Sequence, residues 1–327
     1  MKKLLAILTG TILLLGCEKL FVQPNENETE RNINDFHEIQ RIINTYFPFL
    51  DSMNINWDSI CTVYEPLVEK ARGDEIDRVF VEMLSNLKDG HTKFSSKGVS
   101  YATYTNPHLI KDFFVYSPEV VRSYFSKNLK VIGKIEYEIS DQNIGYLHLT
   151  DLMKGNWLND FDSALSYFKN TKGLIFDLRH NNGGDLVMIL EVLRRFVNEE
   201  MIFYSYTKNS FSEKNILPSS INYLKSVVIL INGCSASSAE YTPAFLEQLS
   251  NTTLIGDSTM GIDGNPNDYH LPTGKILTTI FEYQLCRGKH FQCIGITPDI
   301  LIPQTEDDIK QGRDKQLEYA FKFLNKI

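Results

Sequence analysis

Three clusters in this chain hold residue types that could do chemistry. Ser235-Ala236-Ser237-Ser238-Ala239-Glu240 follows an apolar run and an Asn232-Gly233 break. Asp177-Leu178-Arg179-His180-Asn181-Asn182-Gly183-Gly184 ends a second apolar run. Lys88-Asp89-Gly90-His91-Thr92 puts a histidine directly after an Asp-Gly turn. A serine hydroxyl exposed at a sharp turn attacks a carbonyl only if a neighbouring base takes its proton. Histidine, which titrates near neutral pH, is suited to that base. Free backbone N–H groups at a helix start or a Gly-Gly turn can hold the oxyanion that such an attack creates. Each cluster also has a plainer reading. Serine is a common helix cap, and a loop histidine is commonly a surface group. The Gly-Gly turn does not spell G-x-G-x-x-G and lacks the lysine of a P-loop, so a nucleotide site is weakly supported. No CxxC pair or histidine cluster points to a metal.

The elements that must position these clusters read as α/β. Residues 227–231 are apolar without alternation, which predicts a strand buried on both faces of a mostly parallel sheet. A helix is predicted over 235–249, with serine caps and an acid in its first turn. Residues 144–149 and 174–178 read as further strands, and 157–168 and 186–197 as helices. Strand–turn–helix units place backbone N–H groups at the carboxyl edge of such a sheet, where ligands bind. Short strands are predicted at 253–255 and 276–283, a strand-turn segment at 293–300, and a closing amphipathic helix through Leu317, Ala320, Phe321 and Leu324. Residues 32–94 read as a small helical N-terminal subdomain. Ile33, Phe36, Ile39, Ile43 and Phe47 make one apolar stripe, and two more follow over 57–68 and 76–87. The connecting region 95–142 carries little pattern beyond a helix at 117–129, and the α/β core occupies 143–327.

The 327 residues are 43% hydrophobic and 23% charged, an ordinary globular balance. A net charge of −8 argues against nucleic acid as the partner. Lys2-Lys3 and a short apolar run over 4–15 form an export signal too short to span a bilayer. Leu14-Leu15-Gly16-Cys17 resembles a bacterial lipobox. That resemblance implies a signal peptide over 1–16, lipid on Cys17 and a membrane-anchored protein of the cell envelope. Residues 17–31 read as a polar tether. In an exported protein Cys61, Cys234, Cys286 and Cys293 could oxidise. Cys286 and Cys293 are close enough in sequence to pair across a hairpin, which sequence alone does not establish.

Taken in order, D-G-H-T at 89–92, D-L-R-H-N-N-G-G at 177–184, S-A-S-S-A-E at 235–240 and G-I-T-P-D-I at 295–300 resemble the C-terminal-processing (tail-specific) serine peptidases, a family that includes the tricorn protease core. The resemblance covers residues 32–325 and implies an α/β spiral core like that of ClpP and crotonase. Its substrates would be peptides or unfolded protein, with no cofactor. The spacing from His91 to Ile144 leaves no room for the PDZ domain that many members carry. Matched motif by motif, the nucleophile falls on Ser237, and the oxyanion donors on the N–H of Ser238 and of Gly183 or Gly184. One branch of the family uses a lysine base; Ile262 stands at that position here and cannot accept a proton. The tricorn-like branch uses a histidine, which matches His91, oriented by an acid shortly before the G-x-x-P-D motif. Gln292 stands about there, with Glu282 and Asp299 as alternatives. The other reading is a binding module of the same fold that holds an extended peptide and hydrolyses it weakly or not at all.

Overall fold

A computed structural model describes residues 27–106, 115–285 and 290–326. The expected signal peptide, Cys17 with its expected lipid, and Cys286, and with it the question of a pairing to Cys293, lie outside the described residues. Among the described residues, no helix is long and apolar enough to cross a membrane.

The chain opens with three helices, α1 (Glu28–Tyr46), α2 (Trp57–Lys70) and α3 (Glu75–Ser85). Asn27 and Asn56 cap the first two through their side-chain oxygens. The hairpin β1 (Lys93–Ser96) and β2 (Val99–Ala102) follows, then a short helix α4 (Pro118–Arg122), β3 (Lys130–Ile132) and β4 (Ile135–Ile139). The helix expected over 117–129 therefore stops early, and the chain turns into a hairpin. The α/β part then runs β5 (Gly145–Leu149), α5 (Leu158–Tyr167), β6 (Gly173–Asp177), α6 (Leu186–Leu193), β7 (Met201–Thr207), β8 (Phe211–Ile216), β9 (Ser226–Ile231) and α7 (Ser238–Leu246). It closes with β10 (Thr252–Gly256), β11 (Asn265–His270), β12 (Ile276–Leu285), β13 (Ile300–Leu301), α8 (Glu306–Lys310) and α9 (Lys315–Leu324).

Two sheets result. One has the order β13-β10-β9-β6-β5-β4-β3, parallel from β13 to β5 and antiparallel beyond. The other is antiparallel, β2-β1-β12-β7-β8 with β11 on β12. The unalternating apolar runs are explained by burial on both faces of the first sheet. Leu147, Phe176, Ile229 and Ile231 pack with Phe161, Ile189, Val192 and Phe245 from the helices on one side. Tyr146, Ile175, Val228 and Leu230 pack with Leu317, Ala320 and Leu324 of α9 on the other. The three N-terminal helices bury Phe36, Ile39, Ile43, Trp57 and Phe80 against Phe94, Leu277 and Ile280 of the second sheet. That packing brings the 88–92 turn, at the end of the helical region, up to the parallel sheet's carboxyl edge.

The D-L-R-H-N-N-G-G turn is fixed from below by a buried ion network. Arg179 is fully buried. Its Nε and Nη2 donate to the two oxygens of Asp177 at 2.9 and 2.6 Å, and its Nη1 donates to Asp314 Oδ1 at 2.9 Å and Gln316 Oε1 at 3.1 Å. Tyr146 donates a further bond to Asp177 at 2.9 Å. Asp314 is also the N-cap of α9, so this arginine ties the closing helix to the turn. Removing it leaves two buried carboxylates without their cation, which is far costlier than losing an exposed pair.

Arg179→Ala is therefore expected to lower unfolding stability by about 3–5 kcal/mol in urea titration. Arg41→Ala, which removes the exposed pair with Glu38, is expected to change it by less than about 1 kcal/mol. A loss of under about 1 kcal/mol for Arg179→Ala would contradict the anchoring role.

Candidate active site

Strand β9 ends at Ile231, and the chain turns sharply through residues 232–236 into α7. Asn232 Oδ1 accepts the Cys234 N–H at 3.1 Å and the His180 N–H at 3.3 Å. Ser235 Oγ donates to the Leu178 carbonyl at 2.8 Å. These bonds join the turn after β9 to the turn after β6. Ser237 then sits at the N-cap of α7 with φ +56 and ψ −126. A non-glycine residue there carries roughly 1–3 kcal/mol of strain, so its surroundings must hold it. Glu240 does so from the same helix, accepting the Ser237 N–H at 2.8 Å. Gly183 is pressed against this residue, and a Cβ there would lie 2.9 Å from Ser237 Cβ and 2.7 Å from Ser238 N. Only glycine allows that approach.

Across from Ser237 stands His91. Its Nε2 lies 3.0 Å from Ser237 Oγ, although 146 residues separate the two. Its Nδ1 lies 3.3 Å from the Asp263 carbonyl oxygen. A carbonyl only accepts, so that contact requires the proton on Nδ1 and leaves the Nε2 lone pair toward the serine hydroxyl. Burial lowers the His91 pKa below its ordinary value, against the nearby charge of Asp89, which raises it. The imidazole is thus neutral at neutral pH. A neutral histidine with a free Nε2 facing a serine hydroxyl can take its proton.

Of the expected oxyanion donors, the Gly183 N–H is already bonded to Asn181 Oδ1 at 2.9 Å. Among the described residues, no acceptor lies against the N–H of Ser238 or Gly184. Ser238 Oγ donates to the Gly184 carbonyl at 2.8 Å, which holds the two turns side by side. The Gly184 backbone packs directly on Leu152, where a Cβ would meet the Leu152 carbonyl carbon at 2.2 Å. Ser238 and Gly184 are therefore two amides of the turn pair without an acceptor among the described residues, and Gly183 acts as the spacer between them.

Gln292 does not touch the His91 ring. Its Oε1 accepts the Asp263 N–H at 2.8 Å, and its Nε2 donates to Asp89 Oδ1 at 3.3 Å. Direct orientation of His91 by Gln292 is thus corrected: the Asp263 carbonyl makes that contact, and Gln292 bonds Asp263 on one side of His91 and Asp89 on the other. Glu282 bonds Ser205 and Asn265 on the second sheet, and Asp299 accepts the Leu254 N–H. Neither reaches His91. Ile262, at the family's lysine position, packs on the base turn instead. A Cβ on Gly90 would lie 2.6 Å from Ile262 Cδ1.

Two buried acids join these parts and were not singled out as site residues in the sequence. Glu240 Oε1 accepts from Gly261 N at 2.6 Å and Thr259 Oγ1 at 2.5 Å; Oε2 accepts from Ile262 N at 2.9 Å as well as from Ser237 N. Burial pushes its pKa up to about 8, while these donors favour the carboxylate. Asp263 accepts from Tyr241 Oη at 2.5 Å and Phe291 N at 3.2 Å, and burial pushes its pKa up to about 7. An acid three residues after the serine was the only sequence signal for Glu240. Asp263 acts through its carbonyl, which every residue type possesses. No cluster of His, Cys, Asp or Glu suited to a metal occurs among the described residues.

Known proteins resemble this chain in sequence and in fold. Residues 143–302 match the model of peptidase family S41, and residues 29–85 match the tricorn protease C1 domain. A carboxy-terminal-processing protease of Bartonella bacilliformis is 28% identical over 195 residues, covering 57% of this chain and 44% of that protein. The carboxy-terminal processing protease CtpA of Bacillus subtilis is 32% identical over 167 residues, covering 50% of this chain and 36% of that protein. The chain thus spans less than half the length that each of these relatives has. A crystal structure of a Parabacteroides merdae protein named as a candidate peptidase aligns with TM-score 0.78 at 26% identity, over 90% of this chain and 96% of that one. The motifs, the paired turns around Ser237 and these matches agree: residues 143–302 of this chain are a peptidase family S41 domain.

Proposed function

We propose that this chain is a serine endopeptidase in which Ser237 is the nucleophile and His91 the general base. The observation that carries the reading is the 3.0 Å approach of His91 Nε2 to Ser237 Oγ, with Nδ1 turned to a carbonyl. In the first step the peptide carbonyl carbon is attacked by Ser237 Oγ as His91 Nε2 takes the hydroxyl proton. The carbonyl oxygen becomes an oxyanion held by the N–H of Ser238 and Gly184. Each such donor is worth roughly 3 kcal/mol in the transition state. His91 then gives its proton to the leaving amine, and a water repeats the sequence on the acyl-enzyme. By likeness to relatives named for carboxy-terminal processing, substrates are C-terminal or unfolded segments. Export and lipid on Cys17 would hold the protein at the cell envelope.

A second reading has one observation behind it: among the described residues no carboxylate oxygen contacts the His91 ring, which meets a carbonyl on one side and the serine on the other. A base less able to carry positive charge would leave a peptide-binding protein with little turnover.

Casein hydrolysis by residues 18–327 separates the two. Ser237→Ala and His91→Ala are each expected to lower kcat by at least about 10³-fold. Retained activity in either variant, or none in the wild type, would reject the assignment. Because the His91 pKa is lowered and the base must be neutral, kcat/KM is expected to be flat at neutral pH and to fall only below about 6.5. An acid limb centred above 7 would contradict that. For the anchor, Cys17→Ser is expected to move the full-length protein from the membrane to the soluble fraction; an unchanged distribution would refute lipidation at that residue.

A further inference from the structure

Among the described residues the His91 ring has no carboxylate contact, yet general-base catalysis leaves it positively charged at the transition state. The charge that could serve it lies within the same turn. Asp89 is fully buried. Its Oδ1 accepts the His91 backbone N–H at 3.0 Å and Gln292 Nε2 at 3.3 Å, and its Oδ2 accepts Thr92 Oγ1 at 2.5 Å. Thr92 Oγ1 lies 3.1 Å in turn from Thr279 Oγ1 of β12. Every partner of Asp89 is a donor, and among the described residues no lysine or arginine forms an ion pair with it. A buried carboxylate without a counter-cation is costly unless something nearby becomes positive. The neighbouring imidazole is the group that does so during turnover.

Gln292 explains how both sides are held. Its amide oxygen takes the Asp263 N–H, and its amide nitrogen gives to Asp89. Only a side chain with one accepting and one donating end can do both. A glutamate there would set a second carboxylate against Asp89. The remaining charged or titratable groups around the base are Lys93, whose charge disfavours imidazolium, the Asp263 carboxyl, Cys293 and Lys88. Cys293 Sγ contacts the Lys88 carbonyl, beside Asp89. Glu240 stands behind Ser237.

We infer that Asp89 supplies the negative charge for His91 that the family's missing acid would supply, and that Gln292 is the positioning residue fixing both Asp89 and the Asp263 carbonyl around the base. His91 is thus oriented through Nδ1 by a carbonyl and stabilised by a carboxylate held in its own turn. The inference rests on the Ser237–His91 reading, and it makes the amide at 292 a requirement of the site.

The test uses the full chain and reads His91 directly. The imidazole resonances are titrated by NMR in wild type and Asp89→Asn, and the pH profile of kcat/KM is measured on the same proteins. Asparagine keeps the size and an accepting oxygen but removes the charge. The His91 pKa and the acid limb are expected to fall together by about 1 unit, with kcat lowered. A residue that merely shaped the turn would lower activity without moving either. An unmoved His91 pKa in folded Asp89→Asn overturns the proposal. Gln292→Glu, of nearly identical shape, gives the second test. It is expected to lower kcat/KM several-fold, because two carboxylates then face each other; higher activity would show that the charge belongs at 292 and overturn the assignment. If the wild type hydrolyses nothing, the peptidase reading fails, while the His91 titration still decides the role of Asp89.

Discussion

One buried carboxylate connects the parts of this site. Glu240 leaves α7 and accepts hydrogen bonds from Ser237 N, Thr259 Oγ1, Gly261 N and Ile262 N. Thr259 Oγ1 itself accepts the Ile296 N–H, so its own proton is free for Glu240. Each bond to a charged acceptor is worth about 1.5–3 kcal/mol, and together they offset part of the cost of burying the charge, which still leaves the pKa raised to about 8. The first bond holds Ser237 in its strained backbone conformation. The others hold the 259–263 loop, whose Asp263 carbonyl faces His91 Nδ1. Ser237 and His91 come from distant parts of the chain, yet one side chain sets the position of both.

The two sheets give this arrangement its stiffness. The turns after β6 and β9 are bonded to each other at the parallel sheet's carboxyl edge, with Arg179 and its carboxylates beneath. His91 arrives from the helical region through packing on the antiparallel sheet. Tyr241 Oη stands between the sheets: it donates to Asp263 and accepts the N–H of Gly264 and of Gln284 on β12. Ile262 against Gly90 completes the contact. The family position that carries a lysine base in one branch is used here to pack the turn that carries a histidine.

Much of this was legible in the sequence where the signal was local. Buried strands declared themselves by apolar runs, and Ser237, Ser238, Gly184 and His91 sit in short motifs whose backbone demands are specific. The hairpin β7–β8 was not legible, because Phe211, Ser212, Glu213, Lys214 and Asn215 all face solvent and carry no period-two pattern. The helix expected over 117–129 failed because pattern there competes with the hairpin that follows. Gln292 was expected to orient His91, but it bonds the Asp263 N–H and Asp89 instead of the ring. What orients His91 is a backbone carbonyl, and no residue type announces one. Asp89 was visible as part of a turn. Its loss of solvent and its contact with Gln292, 203 residues away, needed the fold.

The central claim is that His91 activates Ser237 on this chain. A fluorophosphonate probe, with the modified residue mapped by mass spectrometry in wild type and His91→Ala, tests it most directly. The account predicts a single adduct on Ser237 in the wild type and labelling slowed by orders of magnitude in the variant. A wild type that stays unlabelled, an adduct on another residue, or equal labelling without His91 would contradict it.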